Sequence, residues 1–261
     1  MDFLSNYNGF IFDLDGTVYR ENQLIHKAND AINQVVSKNK KFVFISNRTT
    51  SGKEIYAQKL NRFGISCRPE DIITTTEVTR DYLTENHQNE RVFVIGEEPL
   101  INCLNEYGIE TTKVVNEIDI VLISLDRTLT FDKFHIAQNA LKRGARFFAA
   151  NTDLTCPIEN DEIPDAGATI AALERLTDRN LEISFGKPSR LIIERALKKL
   201  NLPKNECLII GDRIETDIAM GNYHGIDSAL VLSGVTPNYE KNGREIEPTY
   251  VIKDISLLID H

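Results

Sequence analysis

Only four cysteines occur in 261 residues, Cys67, Cys103, Cys156 and Cys207. Their separations match no zinc or thioredoxin-type pattern, so they read as scattered reduced thiols in a cytoplasmic protein. Cys207 opens an apolar run and reads as core. The five histidines show no metal-ligand spacing. His26, His135 and His224 fall in or beside expected helices and read as structural or surface groups. No apolar run is long enough to cross a membrane. Residues 1–20 carry acids rather than a basic flank and an apolar stretch, so neither a signal peptide nor a transmembrane helix is expected. Net charge is −9 and no long basic stretch is present, which argues against nucleic acid as a partner. There is no GxxxxGKS/T segment, and no GxGxxG follows the first expected strand. P-loop and NAD-binding readings therefore lack their signatures. Repeats, low-complexity tracts and an obvious linker are missing too.

What is present is an ordinary globular composition, 41% apolar and 26% charged. Strand-sized apolar runs alternate with amphipathic helical stretches, which predicts an α/β fold with mostly parallel strands. The first series has strands at 9–12, 41–45 and 72–76 and helices at 26–37, 53–63 and 78–85. A second has strands at 91–95, 118–124 and 145–149, helices at 99–107, 131–143 and 166–176, and a long polar loop at 152–165. A third has strands at 181–185, 207–210 and 228–232 and an edge strand at 249–252, with helices at 189–200 and 214–223. Boundaries are expected near 77–90 and 178–186.

Asp13-Leu14-Asp15-Gly16-Thr17 follows the apolar run Gly9-Phe10-Ile11-Phe12 directly. Two acids at a strand end are costly near a sheet core unless a cation or substrate chemistry offsets the cost. A second acidic cluster, Gly211-Asp212-Arg213-Ile214-Glu215-Thr216-Asp217, follows Cys207-Leu208-Ile209-Ile210. Ser46-Asn47 ends another strand, and Lys187 stands in Gly186-Lys187-Pro188 before a helix. Ligands gather beyond the carboxyl ends of strands in open α/β sheets. The four groups in order therefore predict one convergent site for magnesium-dependent phosphoryl transfer.

With these motifs the chain resembles the haloacid dehalogenase-like phosphatases. Asp13–Thr17 is similar to the family's first motif, Ser46 to the second, Lys187 to the third, and Asp212 with Asp217 to the fourth. The Ser46-Asn47 step, Gly186-Lys187-Pro188 and the segment from Gly211 to Ile218 resemble the subfamily of 4-nitrophenyl, pyridoxal phosphate and N-acetylglucosamine-operon phosphatases. Ile45-Ser46-Asn47-Arg48, and Ser124-Leu125 before Leu129-Thr130, are similar to the arabinose-operon sugar phosphatases of bacilli. The resemblance implies a Rossmann-like core over residues 1–78 and 184–261, with a large α/β cap domain inserted at 79–183. It implies Asp13 as nucleophile, Asp15 as general acid and base, and Ser46 and Lys187 as groups facing the phosphoryl. Mg²⁺ would be held by Asp13, the Asp15 backbone carbonyl and Asp212, with Asp217 holding a metal-bound water or Lys187.

Gly16 lets backbone approach phosphate, and Thr17 would orient Asp15 or cap the following segment. Asn47 adds a donor. Arg48 would meet a second anionic group or pair with an acid such as Glu54. Asn151-Thr152-Asp153 stands where Asn-Pro-Asp is usual, and Asn151 and Asp153 are substrate-binding candidates. The acidic loop 155–165, with Glu159, Asp161 and Glu162, would disfavour highly anionic substrates and suit a polyhydroxylated monophosphate. The expected partner is a small phosphorylated metabolite, with no nucleic acid or membrane, and the resemblance adds a homodimer through the cap. A phosphomutase on the same core is the nearest alternative. A non-enzymatic phospho-ligand-binding protein is a further one, opposed by the presence of all four charged residues Asp13, Asp15, Lys187 and Asp212.

Overall fold

The computed structural model describes residues 3–158, 161–241, 243 and 245–259. The chain divides into two units: Met1–Ser46, Lys53–Ile73 and Lys187–His261 form one, and Asn47–Gly52 with Thr74–Gly186 the other. The chain thus crosses between units four times, and two of the crossings, Ser46/Asn47 and Gly186/Lys187, lie beside polar positions singled out from the sequence. Both units are α/β and rest on parallel sheets.

In the first unit, six strands lie in the order Tyr250–Ile252, Asp227–Val231, Cys207–Gly211, Gly9–Asp13, Lys41–Ser46 and Ile72–Thr74. The first five pair in parallel. Every residue of Gly9–Asp13 and Cys207–Gly211 is buried. Burial on both faces explains why these strands read as unbroken apolar runs rather than as alternation. Phe10, Phe12, Phe44, Leu208 and Ile210 share one core with Ala28, Ala31, Ile32 and Val35 of the helix Ala28–Ser37.

The strand order places the site. From Gly9–Asp13 the chain fills one side of the sheet with Lys41–Ser46 and later the other with Cys207–Gly211. The connections diverge at the carboxyl end of Gly9–Asp13, the kind of switch point where open sheets leave a crevice. Register decides what reaches it. Asp13 pairs with Ile45, and Phe12 with Ile210. Ser46 and Asp212 each follow one residue beyond the level of Asp13.

The second unit carries four parallel strands in the order Ile183–Ser184, Arg146–Ala149, Ile120–Ile123 and Val92–Ile95. Its core joins Val121, Ile123 and Phe147 to Ala137, Ala140 and Leu141 of the helix Phe131–Lys142 and to Ile170 and Leu173 of Ala166–Thr177. Among the described residues no helix is long and apolar enough to cross a membrane.

Several elements differ from the sequence reading. The third strand stops at Thr74, and a helix begins at Thr75 because the Thr74 hydroxyl accepts from the Glu77 amide. Residues 155–165 are not an irregular loop: Thr155–Ile158 and Asp161–Pro164 pair as an antiparallel hairpin. Asp161 and Glu162 are exposed on it, and Glu159 lies outside the described residues. A small hairpin, Tyr19–Arg20 with Gln23–Leu24, follows the first acidic motif. The helix expected at 214–223 opens with a π-helical turn, Ile214–Ile218, before Ala219–His224.

Phe10 is fully buried, with its ring 6.1 Å from that of Phe12. Phe10→Ala is expected to lower unfolding free energy by about 3–5 kcal/mol, read from urea denaturation.

Candidate active site

The strand Gly9–Asp13 delivers Asp13 and then turns back at once. The Gly16 amide donates to the Tyr19 carbonyl at 2.7 Å, and the Val18 amide to the Leu14 carbonyl at 2.9 Å. Gly16 makes the turn with φ 90°, a conformation that a side chain would strain. Asp15 is half-buried in this turn, and Thr17 is fully buried. The Thr17 hydroxyl has no hydrogen-bond partner among the described residues, so it does not hold the Asp15 carboxylate as expected from sequence.

Lys187 ties the acids together. Its buried ammonium donates to Asp13 Oδ1 at 2.5 Å and to Asp217 Oδ1 at 2.7 Å. Asp217 reaches it from the π-helical turn, where the amides of both Asp217 and Ile218 donate to the Arg213 carbonyl. Such turns re-aim side chains and recur at functional sites. The second Asp217 oxygen accepts from the Arg213 amide at 3.1 Å. Gly211 allows this approach, since a Cβ there would overlap the Asp217 carboxyl. Asp212 Oδ2 accepts from the Val235 amide at 2.6 Å.

Asp13, Asp212 and Asp217 present oxygens that all lie within 4.8 Å of one another, and all three residues are buried. Three carboxylates face one ammonium, and Asp13 Oδ2 is buried with no hydrogen-bond partner among the described residues. An all-oxygen donor set, surplus negative charge and an orphaned oxygen fit a hard divalent cation. The sequence reading set Asp217 apart from the acids that would meet the metal. The structure places it against Lys187, as one option had it, but also inside the carboxylate cluster.

The charges are strongly coupled. Burial pushes the Asp13 carboxyl well above the ordinary range; Lys187 pulls it back, and Asp217 and Asp212 push it up again. Burial and then Asp217 push Asp212 up to about 7, against the Val235 amide, which favours the anion. Burial opposes the Lys187 charge, but Asp13 and Asp217 outweigh it and hold the ammonium well above the ordinary lysine range.

Ser46 is buried at the end of its strand in the same unit. The remaining candidates belong to the second unit, and Asn47, Asn151 and Asp153 are joined to one another. Asn47 Nδ2 donates to Asp153 Oδ2 at 2.9 Å, and Asn47 Oδ1 accepts from the Thr75 hydroxyl at 3.2 Å. Asn151 Nδ2 donates to the Asn47 carbonyl at 3.1 Å, while its own Oδ1 is buried without a hydrogen-bond partner among the described residues. Arg48 Nη2 donates to the Pro157 carbonyl at 3.2 Å. Gly186 packs beside Asn47, Thr75 and Ala150, where a Cβ would lie only 2.5 Å from Asn47 Oδ1. Thr75 and the amide of Val235 were missed from sequence. Thr75 looked like strand, and a backbone donor leaves no residue-type signal.

Known proteins place the chain in a family. Residues 10–110 match the haloacid dehalogenase-like hydrolase family, and residues 184–258 match the HAD-hydrolase-like family. The chain belongs to the haloacid dehalogenase-like hydrolases. It is 38% identical over 255 residues to the sugar-phosphatase AraL of Bacillus subtilis, covering 97% of this chain and 93% of that protein. It is 32% identical to the acid sugar phosphatase of Staphylococcus epidermidis, with 98% of each chain covered. The 4-nitrophenylphosphatase structure from Thermotoga maritima superposes with a TM-score of 0.87 at 29% identity, covering 98% of this chain and 97% of that one. Within the family the chain stands among phosphoric monoester hydrolases.

The Asp212 shift makes a prediction for this family member free of metal. Between pH 3.8, the ordinary value, and about 7, the folded chain holds a proton that the unfolded chain has lost. Stability therefore falls as pH rises through that window. In chelator, Asp212→Asn removes this loss, and its margin over wild type in thermal unfolding should widen from pH 4 to 7. A margin that stays flat contradicts the shift.

Proposed function

We propose that this chain is a Mg²⁺-dependent phosphatase that hydrolyses small phosphate monoesters, sugar phosphates among them, through an aspartyl-phosphate intermediate on Asp13. One observation carries the reading. Lys187 holds Asp13 Oδ1, while Asp13 Oδ2 is buried at the switch point with no hydrogen-bond partner among the described residues. A carboxylate so placed has one oxygen anchored and one left for chemistry.

In the first step an Asp13 oxygen attacks phosphorus and the ester P–O bond breaks. Asp15 gives its proton to the leaving oxygen. In the second, Asp15 takes a proton from water as the water oxygen attacks phosphorus. The Asp13–phosphate bond breaks, inorganic phosphate leaves, and the Asp13 carboxylate returns. Lys187 faces charge on the transferring phosphoryl, and the Ser46 hydroxyl donates to one of its oxygens. Asp13, the Asp15 carbonyl and Asp212 would hold Mg²⁺, which supplies positive charge to the phosphoryl oxygens when bound.

On this reading the unit of Met1–Ser46, Lys53–Ile73 and Lys187–His261 is the catalytic core and the unit of Asn47–Gly52 and Thr74–Gly186 the cap, through which two copies pair; these bounds replace the 1–78, 184–261 and 79–183 expected from sequence. Asn47, Arg48, Asn151, Asp153, Gly16 and Thr17 serve the substrate. A net charge of −9, with Asp161 and Glu162 exposed, favours monophosphates over multiply charged esters. The relatives named sugar phosphatases support the substrate class. Cysteines held as thiols suit the cytoplasm.

Phosphate release is to be measured on sugar phosphates, pyridoxal phosphate, nucleoside monophosphates and 4-nitrophenyl phosphate, with Mg²⁺ or chelator. Asp13→Asn should lose about ten-thousand-fold in kcat or more. Folded, Mg²⁺-loaded wild type that turns over none of them sinks the proposal and favours a mutase or a binding role. Asp15→Asn separates the two steps. Nitrophenolate leaves without a proton, so this variant should release a first burst of it and then stall. With a sugar phosphate, the same variant should slow by about a hundred- to ten-thousand-fold from the first turnover.

A further inference from the structure

Residues 233–235 follow the strand Asp227–Val231, which lies beside Cys207–Gly211 in the sheet. They carry no acid and matched no motif, yet they touch the site from three directions. The Val235 amide donates to Asp212 Oδ2 at 2.6 Å. The Ser233 hydroxyl donates to the Gly16 carbonyl at 2.8 Å, one peptide beyond the Asp15 carbonyl. Arg20, on the hairpin after the first motif, donates to the Gly234 carbonyl at 2.8 Å. Asp212 itself lies between two glycines. A Cβ on either Gly16 or Gly234 would overlap its carboxylate.

We propose that residues 233–235 are a positioning clamp for the divalent cation. The segment fixes the rotation of the Asp212 carboxylate and the course of the Asp15–Gly16 backbone together. With Oδ2 occupied by the Val235 amide, Asp212 Oδ1 is the oxygen left to face a cation. With the Gly16 carbonyl tied to Ser233, the neighbouring Asp15 carbonyl is held as well. Two of the three expected ligands are thus oriented by a tripeptide that would never touch the metal. The inference rests on the metal-dependent phosphatase reading and adds to it where cation affinity comes from. Groups that orient ligands in this way typically govern metal affinity by about ten- to a hundred-fold.

The test reads binding directly, with Mn²⁺ as the probe and electron paramagnetic resonance as the measure of free ion. Val235→Pro deletes the amide donor, and Ser233→Ala deletes the hydroxyl. Each should raise the Mn²⁺ dissociation constant about tenfold or more. Ser233→Thr keeps the hydroxyl and should restore binding. Melting temperatures in chelator should match wild type for the serine variants, which separates positioning from loss of fold. Ser233→Ala decides the matter alone if Val235→Pro does not fold. Wild-type affinity in Ser233→Ala overturns the clamp and leaves the phosphatase reading standing. Wild type that binds no Mn²⁺ overturns the clamp and the metal reading together.

Discussion

The ammonium of Lys187, shared between Asp13 and Asp217, is the contact on which the site depends. A buried lysine is tolerable only with close anionic partners, and buried carboxylates only with a close cation. Here each supplies what the other lacks, at 2.5 and 2.7 Å. The arrangement is left short of positive charge, because Asp212 and the second Asp13 oxygen have no ammonium of their own. That shortfall is what separates this cluster from a structural ion pair. A closed pair would be neutral, whereas this one keeps more carboxylate than ammonium.

Holding such a cluster requires the backbone to come unusually close to the carboxylates. Gly211 lets Asp217 fold back over the end of the strand that also delivers Asp212, and Gly16 and Gly234 enclose Asp212. The parallel sheet supplies the other half of the constraint. Strand pairing sets Asp13 level with its neighbours to within one residue, so Ser46 and Asp212 arrive with no long loop to order. Rigid strands carry the acids, and short turns with amide donors fix their rotation. This division suits a reaction governed by positioning and charge.

The strands and the first acids were legible because burial on both faces leaves unbroken apolar runs, and an acid directly after such a run stands out. Phe10, Phe12 and Asp13 show the contrast within one strand. The hairpin at Tyr19–Arg20 and Gln23–Leu24 was not legible, since two-residue strands leave no periodicity. The hairpin at Thr155–Ile158 and Asp161–Pro164 was hidden by its prolines and acids, which read as loop. The π-helical turn at Ile214–Ile218 was hidden for a different reason. Its apolar spacing still resembles a helix, and only the extra residue per turn moves Asp217 toward Lys187. Linear spacing therefore identified Asp217 but not its place among the carboxylates.

The second unit shows the same limit for side chains named as substrate contacts. Asn47 was read as a phosphate donor, yet its amide nitrogen is on Asp153 and its amide oxygen on the Thr75 hydroxyl. An amide engaged at both ends acts first as a tie within its own unit, at the residue where the chain crosses from Ser46. Asn151 differs in this respect. One end is fixed on the Asn47 carbonyl, and the other is a buried oxygen with no partner among the described residues. Leaving such an acceptor unmatched is costly in a finished structure and useful in one that awaits a hydroxyl donor. The same amide is thus a closed tie at Asn47 and keeps an unmatched acceptor, among the described residues, at Asn151, a difference that residue type alone does not carry.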